Sequence, residues 1–323
     1  MRASPRSTPL TARILLAVLS LILVTGQLHA EQPAARLRFI FLTPFAEYDF
    51  FKVVKQGMKD AAIAVNVDVT FTGTKGGDMK ALASMIRKAT YDGYDGIAVN
   101  ITDPVALDDA IADAIAKGVP VVAFNVDDNR TPNARLAAVC QDFVSAGRTL
   151  GERAAAFVAE NSHILVTMHE SGVSALNDRA RGAQDVLRQR GVTWTELVTG
   201  SNRKEAMEKI RAVLAADSTI RVVLSTGSAD TEAAGLVIES EPSERGYVSA
   251  GFDLSPDILR LVKTGVIRFT IDQQPYVQGY YPVLELAFYR RYGIKPSNID
   301  SGAIVITAEK VDEILELNKR GFR

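Results

Sequence analysis

The stretch FTIDQQPYVQG, running from Phe269 to Gly279, changes character within three residues, and that change decides the fold. Val266, Ile267, Phe269 and Ile271 are β-branched or aromatic and spaced for a half-buried strand. Pro275 stops any ladder, because it has no N–H to donate. Beyond it Val277, Tyr280 or Tyr281, Leu284 and Phe288 recur on one side of a helix. Asp272, Gln273 and Gln274 sit between the two patterns. In α/β sheets the space beyond the carboxyl end of a strand is where ligands bind. The stretch therefore reads as a crossing between two lobes that displays a ligand-contacting amide.

Strands and helices alternate on either side of it. Strand patterns at 37–42, 67–71, 96–99 and 119–124 are separated by helical patterns at 50–65, 79–91 and 104–117. Such regular alternation predicts a parallel sheet with right-handed crossovers. Residues 131–133 mark a break, followed by a short strand at 136–139. A second set follows, with helices at 146–158, 175–189, 205–215, 232–238 and 256–262, and strands at 164–168, 194–198, 220–225 and 248–252. The expected fold is α/β, two doubly wound parallel-sheet lobes joined by a multi-stranded hinge. After Gln274 the pattern gives one more helix, 276–290, and one more strand, 303–306, too little for a third domain. Residues 31–141 with 274–302 are expected to form the N-terminal lobe, and 142–273 with 303–323 the C-terminal lobe. Several crossings close together favour closure around a ligand.

The first thirty residues read as an export signal. Arg2, Arg6 and Arg13 precede an apolar run from Ile14 to Val24, and Leu28-His29-Ala30 ends on a small residue, so cleavage is expected after Ala30. A retained membrane anchor is the rival reading, disfavoured because the run is shorter than the ~20 residues of a bilayer span. The chain of 323 residues has a formal net charge of −1, which argues against nucleic acid as a partner. The single cysteine, Cys140, can form no internal disulfide. Only three histidines are present, too few for a multi-histidine metal site once His29 leaves with the leader. Neither G-x-G-x-x-G after a strand nor G-x-S-x-G occurs, and Gly73-Thr-Lys-Gly-Gly lacks phosphate-loop spacing. No catalysis and no cofactor are expected.

Polar and aromatic residues gather instead where strands end. Tyr48, Phe50 and Phe51 open the first helix, Asn125 follows Phe124, Arg179 follows a Gly-Val-Ser loop, Asp253 follows Gly251-Phe252, and Gln273 closes the strand of the opening stretch. Taken singly, each has a plain structural reading: core packing, turn chemistry, a surface charge or a helix cap. As one set divided between two lobes they suit a neutral polyhydroxyl ligand. Asp accepts from hydroxyls, Arg donates a planar fork, Asn and Gln do both, and an aromatic face stacks on the ring.

The mature chain resembles, nearly end to end, the periplasmic solute-binding proteins of sugar ABC transporters, the group of the ribose- and galactose-binding proteins. The resemblance rests on Tyr48-Asp-Phe-Phe, Asp95-Gly-Ile-Ala-Val-Asn with Asp103-Pro, Gly118-Val-Pro-Val-Val-Ala-Phe-Asn, Gly251-Phe-Asp and Thr270-Ile-Asp-Gln-Gln-Pro. It implies the periplasmic binding protein-like I fold, with Phe50 and Phe51 around a sugar ring and Asn125, Arg179, Asp253 and Gln273 as polar contacts. Tyr48, Asn177 and Asp230 are implied as further contacts. The family often has Asp where this chain has Asn125, followed by Arg where it has Val126; the departure argues against ribose itself and leaves pentoses, hexoses and sugar alcohols open. With one candidate cation in the cleft, phosphorylated sugars are disfavoured. The implied partners are a monosaccharide or polyol and the permease of an ABC importer in the inner membrane, with the protein a monomer in the periplasm. Two other readings share the cleft: a ligand-sensing partner of a chemoreceptor or sensor kinase, and the effector lobes of a lactose-repressor-like regulator. The leader argues against the second.

Overall fold

The computed structural model describes residues 1, 35–103, 105–128 and 133–323. The expected leader and cleavage point, Pro104 and the first part of the break at 131–133 lie outside these. Residues Leu37–Arg323 form one compact unit.

Two six-stranded sheets organise it. The first is built from β1 (Arg38–Thr43), β2 (Asp68–Gly73), β3 (Gly96–Val99), β4 (Val121–Asn125), β5 (Ala137–Cys140) and β11 (Ile299–Asp300), in the order β11-β5-β4-β3-β1-β2. The second contains β6 (His163–Met168), β7 (Thr193–Val198), β8 (Val222–Ser225), β9 (Val248–Phe252), β10 (Ile267–Asp272) and β12 (Ile304–Ile306), in the order β12-β10-β9-β8-β6-β7. Every pairing is parallel except β10 with β12. The central strands are buried along their length, as in β3 and β4, because helices cover both faces.

The helices of the first lobe are α1 (Phe51–Ala64), α2 (Met79–Tyr91) and α3 (Asp108–Ala116). Those of the second are α4 (Phe143–Ala154), α5 (Ser174–Arg188), α6 (Arg203–Ala216), α7 (Ser228–Ser240) and α8 (Pro256–Lys263). The helix α9 (Pro275–Tyr292) returns to the first lobe, where Val283, Leu286 and Ala287 join the Phe39–Phe41–Phe124 core. The closing helix, α10 (Val311–Lys319), packs Val311 and Ile314 against Ile258 and Leu261 of α8 in the second.

The chain passes between sheets three times: after β5, after β10, and between β11 and β12. The multi-stranded connection expected from the sequence is present. Where elements differ from expectation, the causes are local. The helix expected from residue 104 starts at Asp108, because Asp103 Oδ1 accepts from the amides of Val105 and Ala106 and holds a turn there. Asp142 caps α4 through Ser145 N at 3.0 Å, so that helix begins earlier, at Phe143. The helix expected at 232–238 runs from Ser228, because its first turn is polar and carries no apolar periodicity. The C-terminal region holds two strands and α10, more than the single strand expected after α9.

Candidate functional site

A cleft of about 910 Å³ opens between the two lobes, and residues from the carboxyl ends of β4, β9 and β10 line it. Two of them, Asn125 and Asp253, and the neighbouring Gln274 occupy unusual backbone conformations. Asn125 (φ 62°), Asp253 (φ 73°) and Gln274 (φ 55°) are left-handed non-glycine residues at or just beyond a strand end. Asn and Asp tolerate this region best among L-residues, and such positions gather at ligand sites. A strand that stops on a left-handed residue turns its chain away and leaves the side chain at the end of the sheet.

The polar side chains form one buried network along the cleft floor. Asn100 Nδ2 donates to Thr43 Oγ1 at 3.2 Å and to Asn125 Oδ1 at 3.0 Å. Asn125 Nδ2 donates to Gln278 Oε1 at 3.0 Å and Gln273 Oε1 at 3.3 Å, crossing from β4 to the second crossing of the chain. Gln273 Nε2 donates to Asp253 Oδ1 at 2.6 Å. Gln278 Nε2 reaches Ser301 Oγ at 2.9 Å, tying in the third crossing. Asn100 Oδ1 is buried without a protein partner among the described residues, an acceptor beside the cleft.

Arg179 is 2% exposed and lies with its guanidinium 4.1 Å from the Phe252 ring centroid and 5.3 Å from that of Phe143. Its Nε and Nη2 donate to Gln141 Oε1 at 3.0 and 2.7 Å, and Nη1 to the Thr226 carbonyl at 2.9 Å. Three of its five N–H donors are thus engaged among the described residues. Among the described residues no carboxylate bonds it directly. Burial lowers its pKa, opposed by the charges of Asp253 and Asp230. Burial raises Asp253, opposed by Arg179 and by the hydrogen bond from Gln273.

The aromatic wall comes from the start of α1. Phe50 is half-buried and meets Phe51 edge-on at 5.2 Å. Phe51 is 3% exposed and packs on Phe71 and Phe124 in the core, so it buttresses Phe50 more than it faces the cleft. Tyr48 stands at the rim, 36% exposed and stacked on Phe45 at 5.0 Å.

The structure therefore brings Tyr48, Phe50, Phe51, Asn125, Arg179, Asp253 and Gln273 to one cleft. Asn177 and Asp230 do not line it. Asn177 is half-buried on α5 two residues before Arg179, on a different side of the helix. Asp230 is fully buried beneath His169, where its carboxylate holds the start of α7. The cap before Pro256 that could have occupied Asp253 is supplied by Ser255, whose Oγ accepts from Ile258 N at 3.1 Å. The expectation of a single cation is corrected: Lys52, Arg203, Arg323 and His169 also line the cleft. Each already faces a carboxylate, namely Asp49 for Lys52, Glu232 and Asp257 for Arg203, Asp272 for Arg323 and Asp230 for His169.

Asn100, Gln141, His169 and Gln278 escaped the sequence reading. The first three directly follow β3, β5 and β6, so the strand-end rule that found Asn125 would have found them. Gln278 is on α9 and carries no such signal.

Comparison with known proteins gives the same architecture. The model of the family described as periplasmic binding protein domain matches residues 39–289. A xylose/arabinose-binding protein of Sulfolobus acidocaldarius is 26% identical over 293 residues, 86% of this chain and 73% of that protein. A ribose import binding protein of Bacillus subtilis is 25% identical over 234 residues, 71% of this chain and 74% of its own. The solved structure of a carbohydrate transporter from Acidothermus cellulolyticus 11B, in complex with myo-inositol, is 28% identical and superposes with a TM-score of 0.80, over 89% of this chain and all (100%) of that one.

Proposed function

The chain belongs to the periplasmic binding protein domain family, and we propose that it captures a neutral monosaccharide or sugar alcohol in the cleft and delivers it to an ABC-type sugar importer. One observation carries this reading: the Phe50 ring and the Asn125 amide face the same cleft as Arg179, Asp253 and Gln273, which come from the other lobe. Hydroxyls need both donors and acceptors, and a sugar ring needs a flat apolar face. Arg179 and Asp253 offer one charge of each sign, and the remaining cations are already paired, which suits an uncharged ligand over a phosphorylated one. The pentoses and the cyclic polyol named for the relatives support the same class.

In this reading the lobes are 31–141 with 274–302 and 142–273 with 303–323, and the ligand favours closure by as much as it binds the closed form better. The side chains bind and orient; none is assigned a reaction, and the protein acts as a monomer without turning its ligand over. The basic-then-apolar segment ending at Ala30 supports export to the periplasm with cleavage after that residue. Among the described residues no helix is long and apolar enough to cross a membrane.

Isothermal titration of the purified mature chain against D-xylose, L-arabinose, D-ribose, D-glucose and myo-inositol tests the proposal. Micromolar binding, about −8 kcal/mol, is expected for at least one of them. Silence from all five, with a sugar phosphate binding instead, would falsify it.

A further inference from the structure

His169 is a built part of the cleft. It directly follows β6, and 21% of its side chain is exposed there. Its Nδ1 lies 2.9 Å from Asp230 Oδ1. That carboxylate is itself immobilised: Oδ2 accepts from Thr226 N at 2.8 Å, Thr167 Oγ1 at 3.2 Å and Gly227 N at 3.3 Å. On another side the ring rests against Gly227, where an added Cβ would stand 2.5 Å from Cε1 and 2.6 Å from Nδ1. A glycine is required at 227 for the ring to sit where it does. With Nδ1 engaged, Nε2 is the one polar atom of the ring left, and it bonds to none of the described residues.

The geometry points to His169 as a further ligand contact, with Asp230 as its positioning residue: Asp230 fixes Nδ1 so that Nε2 meets a hydroxyl oxygen of the sugar. The inference rests on the sugar reading of the cleft. It also gives Asp230 a role at the site through His169, without contact to the ligand.

The charged groups around the ring are Asp230 from α7, Asp253 beyond β9 and the adjacent Glu170, with Arg179 the neighbouring cation on the far side of Thr226. Burial alone pulls the imidazolium down. The hydrogen bond and charge of Asp230, helped by Asp253 and Glu170, outweigh it and hold the pKa above its ordinary value. While protonated, the ring donates from both nitrogens. When it loses its proton Asp230 keeps the Nδ1–H, and Nε2 changes from donor to acceptor. Sugar affinity should therefore fall as pH rises through the His169 transition.

The experiment combines calorimetry and NMR on the full mature chain, with D-xylose, L-arabinose, D-ribose, D-glucose and myo-inositol as probes. The tightest probe is expected to shift the His169 ring resonances. His169→Leu should weaken it about tenfold, the worth of one charge-assisted hydrogen bond, and His169→Gln, which can still donate, should recover most of that. Native affinity should decline as pH rises above the ordinary histidine value of about 6.5, and both variants should flatten the decline. Asp230→Asn should move the decline to lower pH; if that variant unfolds, the two His169 variants decide alone. A probe that binds native, Leu and Gln forms equally, with the ring resonances unmoved, overturns the role of His169 and leaves the sugar reading standing. No binding by any probe overturns both.

Discussion

Asp253 and Arg179 show how much a single residue's meaning depends on what surrounds it. Asp253 sits at φ 73°, where Asn is tolerated and a β-branched residue is strained. Asp253→Asn should therefore keep the melting temperature within a few degrees while weakening sugar binding by about tenfold or more, since a carboxylate acceptor is lost. Titration calorimetry beside a thermal melt separates the two effects. Arg179 differs because its guanidinium also fills the space between Phe143 and Phe252 and satisfies Gln141 and the Thr226 carbonyl. Arg179→Ala should abolish binding and also destabilise the second lobe by about 2–4 kcal/mol, through lost packing and orphaned acceptors. Equal melting temperatures for Arg179→Ala and the native chain would show that the side chain is not structural. Asn125 and Asp253 were legible in the sequence because they stand at strand ends and belong to the residue types that tolerate left-handed backbone. Asp230 stands near a strand end too, yet it binds inward, and nothing in its neighbours' identities distinguishes the two orientations.

At the scale of elements, the site depends on helices that pass very close to one another. Gly147 of α4 lies against the Arg179 carbonyl of α5, and Gly182 of α5 against Val144 of α4, so an added Cβ at either meets backbone. The contact sets where Arg179 stands. Gly147→Val should push α5 away and cost both stability, by about 1–3 kcal/mol, and sugar affinity; denaturant unfolding with calorimetry reads both, and an unchanged affinity would detach the site from this packing. A second expectation concerns α9. Burial pushes Glu285 up to about 7 from its usual 4.5, opposed only by a hydrogen bond from Ser297 N. The folded form then holds this proton more tightly than the unfolded chain does. Its contribution is present below about pH 4.5 and is lost as pH rises towards 7, about 1–2 kcal/mol once partial exposure is discounted. Glu285→Gln should flatten that part of the stability–pH curve in chemical denaturation, and a slope equal to the native one would count against it. Helix starts were read least well, because α3 and α7 begin in polar turns whose hydrogen bonds have no periodic signature.

For the whole molecule, the three crossings and the network joining Asn125, Gln273, Gln278 and Ser301 put the proposed ligand site and the connection between lobes in the same few residues. A sugar at about 100 times its Kd should add about 2.7 kcal/mol of stability. X-ray scattering should show the particle contract on addition of the sugar, and scattering unchanged at saturation would remove closure from the mechanism. The sequence by itself determined the alternation of strands and helices, the doubly wound lobes and the strand-end residues, because periodicity and turn chemistry are local properties of the chain. Only the tertiary structure decided that Phe51 is core while Phe50 faces the cleft, that Asp230 serves His169, that the rim cations are already neutralised, and that the closing residues form α10 on the second lobe. These depend on which side chains meet across long stretches of chain, and burial and pairing are set there by three-dimensional packing.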